Sequence, residues 1–171
     1  MKERLTNTEM HPSMRGYFAG ELYNQMLVNE NIWLITADLG FGMWGRIQND
    51  FPDRFLNVGA SEQAMIGIAA GMAKRGKIPV CYSITPFLLY RPFEVIRNYI
   101  NHESLNVKLV GSGRDDDYEH DGFSHHAFED KDVMKIFENI EAVWPETKED
   151  MTRVVEDMVT HNGPYYINLK R

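Results

Sequence analysis

"RFLNVGASEQAMIGIAAGMAKRGKIPVCYSI", Arg54 to Ile84, decides the fold class. Its two ends, "RFLNV" (Arg54 to Val58) and "KIPVCYSI" (Lys77 to Ile84), are apolar runs of strand length. Between them, Ser61 to Arg75 is long and rich in Ala, Met and Ile, which predicts a helix. Strand, helix, strand over about thirty residues is the crossover unit of parallel sheets. The same stretch raises a chemical question. Glu62 is a lone carboxylate in the first turn of a helix that is otherwise small-sided and apolar.

The alternation continues in both directions. Strands are expected at "IWLITA" (Ile32 to Ala37), "NVKLVG" (Asn106 to Gly111), "IEAVW" (Ile140 to Trp144) and "PYYINL" (Pro164 to Leu169). Helices are expected at Ser13 to Glu30, Tyr90 to His102, Asp130 to Asn139 and Thr147 to His161. Nearly continuous apolar strands indicate a sheet covered on both faces. The expectation is one α/β domain over residues 1–171: an open, mostly parallel, six-stranded sheet with helices on both faces. Residues 1–12 read as a flexible or partner-contacting segment.

The totals narrow the function classes. A chain of 171 residues with 43% hydrophobic content can build a full core. A net charge of -7 argues against nucleic acid as a partner. No apolar stretch reaches the length of a membrane span, and "MKERLTNTEMHPSMRG" lacks a signal-peptide core. One cysteine, Cys81, builds no disulfide framework. The expectation is a cytoplasmic protein with no membrane and no nucleic-acid partner.

Ligands on open α/β sheets bind beyond the carboxyl ends of the strands. The loops there are "DLGFGMWG", "GASE", "TPFLLYRP" and the long "GSGRDDDYEHDGFSHH". Glu62, in the second, is either a partner of the helix dipole or a buried carboxylate able to exchange a proton with a ligand. Phe87, Tyr90 and Phe93, spaced three apart, are either one core face or a slot for a planar heteroaromatic ring. His120, Asp121, His125 and His126 crowd the fourth loop without the spacing of a known zinc motif. Proton-donating contacts to a substrate suit them better than a metal, and none is expected on this chain. Gly40, Gly42 and Gly45 give a G-x-G-x-x-G pattern, but no helix is expected to open at that turn and Asn57 stands where an acidic ribose partner belongs. Dinucleotide binding is therefore set aside.

Together, "TADLG", "NVGASEQAMIGIAAGMAKRGKIPV", "TPFLLYRPFEVIRN", "NVKLVG", "EHDGFSHHAFED", "VWPET" and "PYYINLKR" resemble the pyrimidine-binding domain of transketolase-like thiamine diphosphate enzymes. The resemblance covers nearly all of residues 32–171, in the family's order. It implies that Glu62 hydrogen-bonds the aminopyrimidine nitrogen of the cofactor and favours the imino tautomer that deprotonates the thiazolium carbon. It implies that Phe87, Tyr90 and Phe93 hold the ring, and that Asp38 lies near the cofactor and a subunit contact. Asp121 and His125 match positions that contact a donor ketose, His120 replaces a usually acidic neighbour, and Arg171 matches an arginine that binds sugar phosphate.

Departures from the family carry their own implications. No GDG…N segment is present to hold the diphosphate and Mg²⁺ (or Ca²⁺), which implies a separate diphosphate-binding subunit, as in an α2β2 heterotetramer. The third domain that follows in transketolases is not in this sequence, and Gly113 stands where they typically carry a histidine. The expected activity is transfer of a two-carbon ketol or acyl unit between sugar or keto-acid substrates. A 2-oxo acid decarboxylase subunit and a non-catalytic assembly subunit are the rivals.

Overall fold

The computed structural model describes residues 2–171. Six strands form one sheet: β1 (Ile32–Thr36), β2 (Phe55–Asn57), β3 (Ile78–Ile84), β4 (Lys108–Ser112), β5 (Glu141–Val143) and β6 (Tyr165–Leu169). They lie in the order β2-β1-β3-β4-β6-β5, and every pairing is parallel. The expected open sheet is therefore present, and it is parallel throughout.

Strand alternation divides the core into two layers. Leu34, Val80, Tyr82, Val110 and Ile167 face one layer, while Ile35, Cys81, Leu109 and Tyr166 face the other. The first layer is covered by α1 (Met14–Val28), the short α2 (Gly45–Asp50) and α7 (Met151–Thr160). α7 buries Met151, Val154, Val155, Met158 and Val159, the one-sided stripe of a surface helix. Each such side chain contributes roughly 1.5–3 kcal/mol by leaving water. The second layer is covered by α3 (Glu62–Ala73), α4 (Thr85–Tyr90), α5 (Phe93–Val95) with the π-turn Ile96–Asn101 that follows it, and α6 (Asp130–Met134).

Three local expectations are corrected. "TPFLLYRP" is not a loop, because Thr85–Tyr90 turns helical directly from β3. Pro86 in the first turn suits that start, and Thr85 Oγ1 donates to the Gly113 carbonyl at 2.7 Å, anchoring the turn to β4's end. The helix expected from Tyr90 to His102 is broken at Arg91-Pro92 and resumes at Phe93. A helix does open at the glycine-rich turn, at Gly45, though it runs only to Asp50.

The N-terminal segment lies on α1. Leu5 N donates to Asn24 Oδ1 at 2.7 Å, and Asn24 Nδ2 returns a bond to the Leu5 carbonyl at 3.0 Å. Gly20 makes room for Met10, whose Cγ would be 2.5 Å from a Cβ there. Leu5 and Met10 are buried as a result.

The chain steps from β1 outward to β2, then crosses back to β3 on β1's other side. The carboxyl ends of β1 and β3 thus flank a topological switch, the usual crevice of open sheets.

Candidate functional site

α3 starts where β2's loop reaches this crevice, with Ser61 before it and Glu62 in its first turn. Glu62 is 2% exposed. The Ser83 hydroxyl, on the α3 face of β3, donates to Glu62 Oε1 at 3.3 Å. Arg91 Nη1 donates to Glu62 Oε2 at 2.7 Å. A carboxylate so deeply buried requires such a partner, because an uncompensated charge there costs about 3–5 kcal/mol. Nothing in the sequence singles out Arg91. It reads there as the polar end of a helix beside Pro92, and only the fold brings its guanidinium onto Glu62.

The aromatic trio is dispersed. The Phe87 ring lies under the Arg91 guanidinium, 3.8 Å from ring centre to Cζ, and meets the edge of His125 at 4.8 Å. Tyr90 points to Glu129, with its hydroxyl 3.4 Å from Oε2. Burial, reinforced by that carboxylate, pushes its phenol up to about 12. Phe93 packs on Phe137 at 5.2 Å, at the rim of the second core layer. Only Phe87 stands beside Glu62's partner.

Asp38 ends β1 in the left-handed region, at φ 56°. Its N–H donates to Asn57 Oδ1 at 3.0 Å, and Asn57 Nδ2 donates to Asp38 Oδ1 at 3.2 Å. The pair clips together the ends of β1 and β2, close to where Glu62 begins its helix.

The fourth loop folds into two 3-10 turns, Glu119–Asp121 and Phe123–His125. His120 Nε2 lies 2.9 Å from Arg171 Nη1, and the Arg171 guanidinium stacks on Tyr118 at 4.8 Å. Asp121 closes its turn by donating its N–H to the Tyr118 carbonyl at 2.9 Å. Tyr118 lies 6.4 Å from His125, so one ring links the His120–Arg171 pair to the His125–Phe87 pair. Of the three consecutive aspartates, Asp117 is turned inward. Its Oδ2 accepts from Arg114 N and Arg171 N, both at 2.9 Å. Beneath the loop, Arg114 is buried, with its guanidinium donating to Asn168, Glu146 and the Pro145 carbonyl.

On the α1 side of the same strand ends lies a cavity of about 650 Å³, lined by His11, Arg15, Gly40, Arg46, Ser112 and Tyr118 among others. Arg15 Nη1 donates to the Tyr118 hydroxyl at 3.1 Å, while Arg15 Nε finds no acceptor among the described residues. Its wall carries the Arg15 and Arg46 guanidiniums and the Glu9 carboxylate. Among the described residues, no three His, Cys, Asp or Glu side chains gather as for a metal, and no helix is long and apolar enough to cross a membrane.

Residues 10–171 match the family model described as transketolase, pyrimidine binding domain. The chain belongs to this family. As a transketolase pyrimidine-binding domain, it is 35% identical over 120 residues to one subunit of the apulose-4-phosphate transketolase of Actinobacillus succinogenes, covering 70% of this chain and 39% of that protein. It is 33% identical over 126 residues to a 6-deoxy-6-sulfo-D-fructose transketolase subunit of a Clostridium species, covering 74% and 39%. Among solved structures, a split-gene transketolase described as an inactive β4 tetramer superposes with a TM-score of 0.83 at 31% identity, covering 94% of this chain and 52% of that one. The chain thus spans about half or less of the length of these transketolase relatives.

Proposed function

We propose that this chain is the pyrimidine-binding subunit of a split, thiamine diphosphate-dependent transketolase-like enzyme. It moves a two-carbon ketol unit or an acyl equivalent between sugar or keto-acid substrates. The observation that carries the reading is the deeply buried Glu62 beside the Phe87–Arg91 pair at the sheet's switch point. An aminopyrimidine ring would meet a carboxylate to hydrogen-bond and an aromatic face to stack on.

When bound, thiamine diphosphate supplies the carbanion chemistry that attacks a ketose or 2-oxo acid carbonyl. Glu62 holds and exchanges a proton at Oε2, with Oε1 fixed by the Ser83 hydroxyl. Phe87 orients the ring, with Tyr90 and Phe93 behind it and Asp38 at the neighbouring strand end. His120, Asp121, His125 and Arg171 present donors and charge to the substrate. The diphosphate and its Mg²⁺ or Ca²⁺ are held by a separate subunit, in an α2β2 heterotetramer. A cytoplasmic location is part of the proposal.

The relatives' names include a sugar phosphate and a sulfonated sugar, which share an anionic head. Arg171, with Arg15 and Arg46 on the neighbouring cavity, supports an anionic sugar as this subunit's substrate class.

Mixing the chain with a diphosphate-binding partner, thiamine diphosphate and Mg²⁺ tests the reading. Ketose phosphates should support transfer to an aldose acceptor without release of carbon dioxide. Release of carbon dioxide from 2-oxo acids alone would establish the decarboxylase instead, and no turnover with any partner would favour an assembly role.

A further inference from the structure

Arg91 occupies both of the contacts that a flat heteroaromatic ring would need. Its Nη1 takes Glu62 Oε2 at 2.7 Å, and its guanidinium plane lies 3.8 Å above the Phe87 ring. A planar cation that hydrogen-bonds a carboxylate while stacking on an aromatic face resembles an aminopyrimidine in shape and in donor pattern. Its side chain is also 47% exposed, whereas Glu62 is 2% exposed. One member of the pair can therefore swing into solvent, and the other cannot.

We propose that Arg91 is a placeholder. In the ligand-free chain it keeps Glu62 paired and the slot closed, and the pyrimidine ring enters by displacing it. This inference rests on the cofactor reading above. It adds that the carboxylate is never left buried without a partner, because one planar donor is exchanged for another. Pro92 ends the helical run immediately after Arg91, so the residue sits at a hinge between α4 and α5 where its side chain can move without unwinding either helix.

Placeholder and ligand-contact roles give opposite signs. If Arg91 must be displaced, its removal takes away a competitor, and binding tightens. If Arg91 contacts the ligand, its removal weakens binding. The probe is thiamine, titrated into the full chain by ligand-observed NMR, for the wild type, R91A, E62Q and the double variant. We expect R91A to bind thiamine more tightly by up to about tenfold, the worth of one charge-assisted hydrogen bond. In the E62Q background, R91A should change affinity less than about twofold, since the charged pair is already gone. The ligand-free R91A chain should melt lower than the wild type and recover more on adding thiamine. Weaker binding by R91A, or equal tightening in the E62Q background, overturns the placeholder role alone. Binding to none of the four proteins overturns the placeholder role, while cofactor-dependent turnover of the chain mixed with its diphosphate-binding partner decides the cofactor reading separately.

Discussion

The edge of the Tyr118 ring packs against Gly113: a Cβ on residue 113 would lie 2.3 Å from its Cε2. Gly113 also holds φ +88°, a conformation that side-chain-bearing residues rarely adopt. The tyrosine sends its hydroxyl to Ser112 at 2.9 Å and Arg15 at 3.1 Å. This chain therefore builds its fourth loop around a ring that comes from five residues further on.

Gly113→Ala should destabilise the domain by about 1–3 kcal/mol, through the clash with Tyr118 and the strained backbone together. Gly113→His should do no better, because its Cβ meets the same ring edge. Urea denaturation of each variant checks this. Equal stability of Gly113→His and wild type would show that Tyr118 does not depend on the glycine.

Asp130 Oδ2 accepts three buried hydrogen bonds, from Trp144 Nε1 at 2.7 Å, Tyr166 Oη at 2.9 Å and Asn168 Nδ2 at 2.9 Å. Asp130→Ala leaves all three donors without that acceptor and should cost about 3–5 kcal/mol. Trp144 fluorescence should shift, because the indole N–H loses its partner. Chemical denaturation followed at that emission reads both effects at once.

Lys108 is buried at the start of β4, donating from Nζ to the carbonyls of His161 at 2.8 Å and Gly163 at 2.7 Å. Burial pulls its ammonium down to about 7. Between that value and its ordinary one near 10.4, the unfolded chain binds the proton and the folded chain does not. Stability should therefore rise as pH increases from 7 toward 9.5, by up to about 1.4 kcal/mol per pH unit from this group. The buried tyrosines act in the opposite sense only at higher pH, since burial raises them. Lys108→Met should be less stable at every pH and should flatten the rise, measured as unfolding free energy at pH 7 and 9.5.

His125→Ala removes a ring that touches Phe87 and neighbours Tyr118. On the proposed reading, kcat/KM for a ketose donor should fall by about 10²-fold in the reconstituted enzyme, while cofactor affinity changes little. Steady-state kinetics with a cofactor titration separates the two.

Much of the fold is legible in the sequence because strands buried on both faces are written as apolar runs. Each of the six runs is a strand, with ends within about two residues of those expected. α2 leaves no such mark, because six residues carry too little periodicity to register. α4 reads as a loop because Thr85 and Pro86 look like turn residues, whereas proline also opens helices. In the site, Glu62 stands out by contrast with its apolar surroundings. Arg91 and Arg15 do not, because an arginine near a helix end usually faces water, and only long-range packing brings Arg91 onto Glu62 and Arg15 onto Tyr118. Spacing alone cannot say that Phe93 packs on Phe137, because that contact depends on how distant segments come together.

Proton exchange between Glu62 and the pyrimidine of thiamine diphosphate is tested most directly by hydrogen–deuterium exchange at the thiazolium carbon, in the chain reconstituted with a diphosphate-binding partner. The wild type should accelerate exchange strongly over free cofactor. Glu62→Gln should lose at least about 10²-fold of that acceleration while the complex stays folded and binds cofactor. Exchange in Glu62→Gln at the wild-type rate would contradict the account.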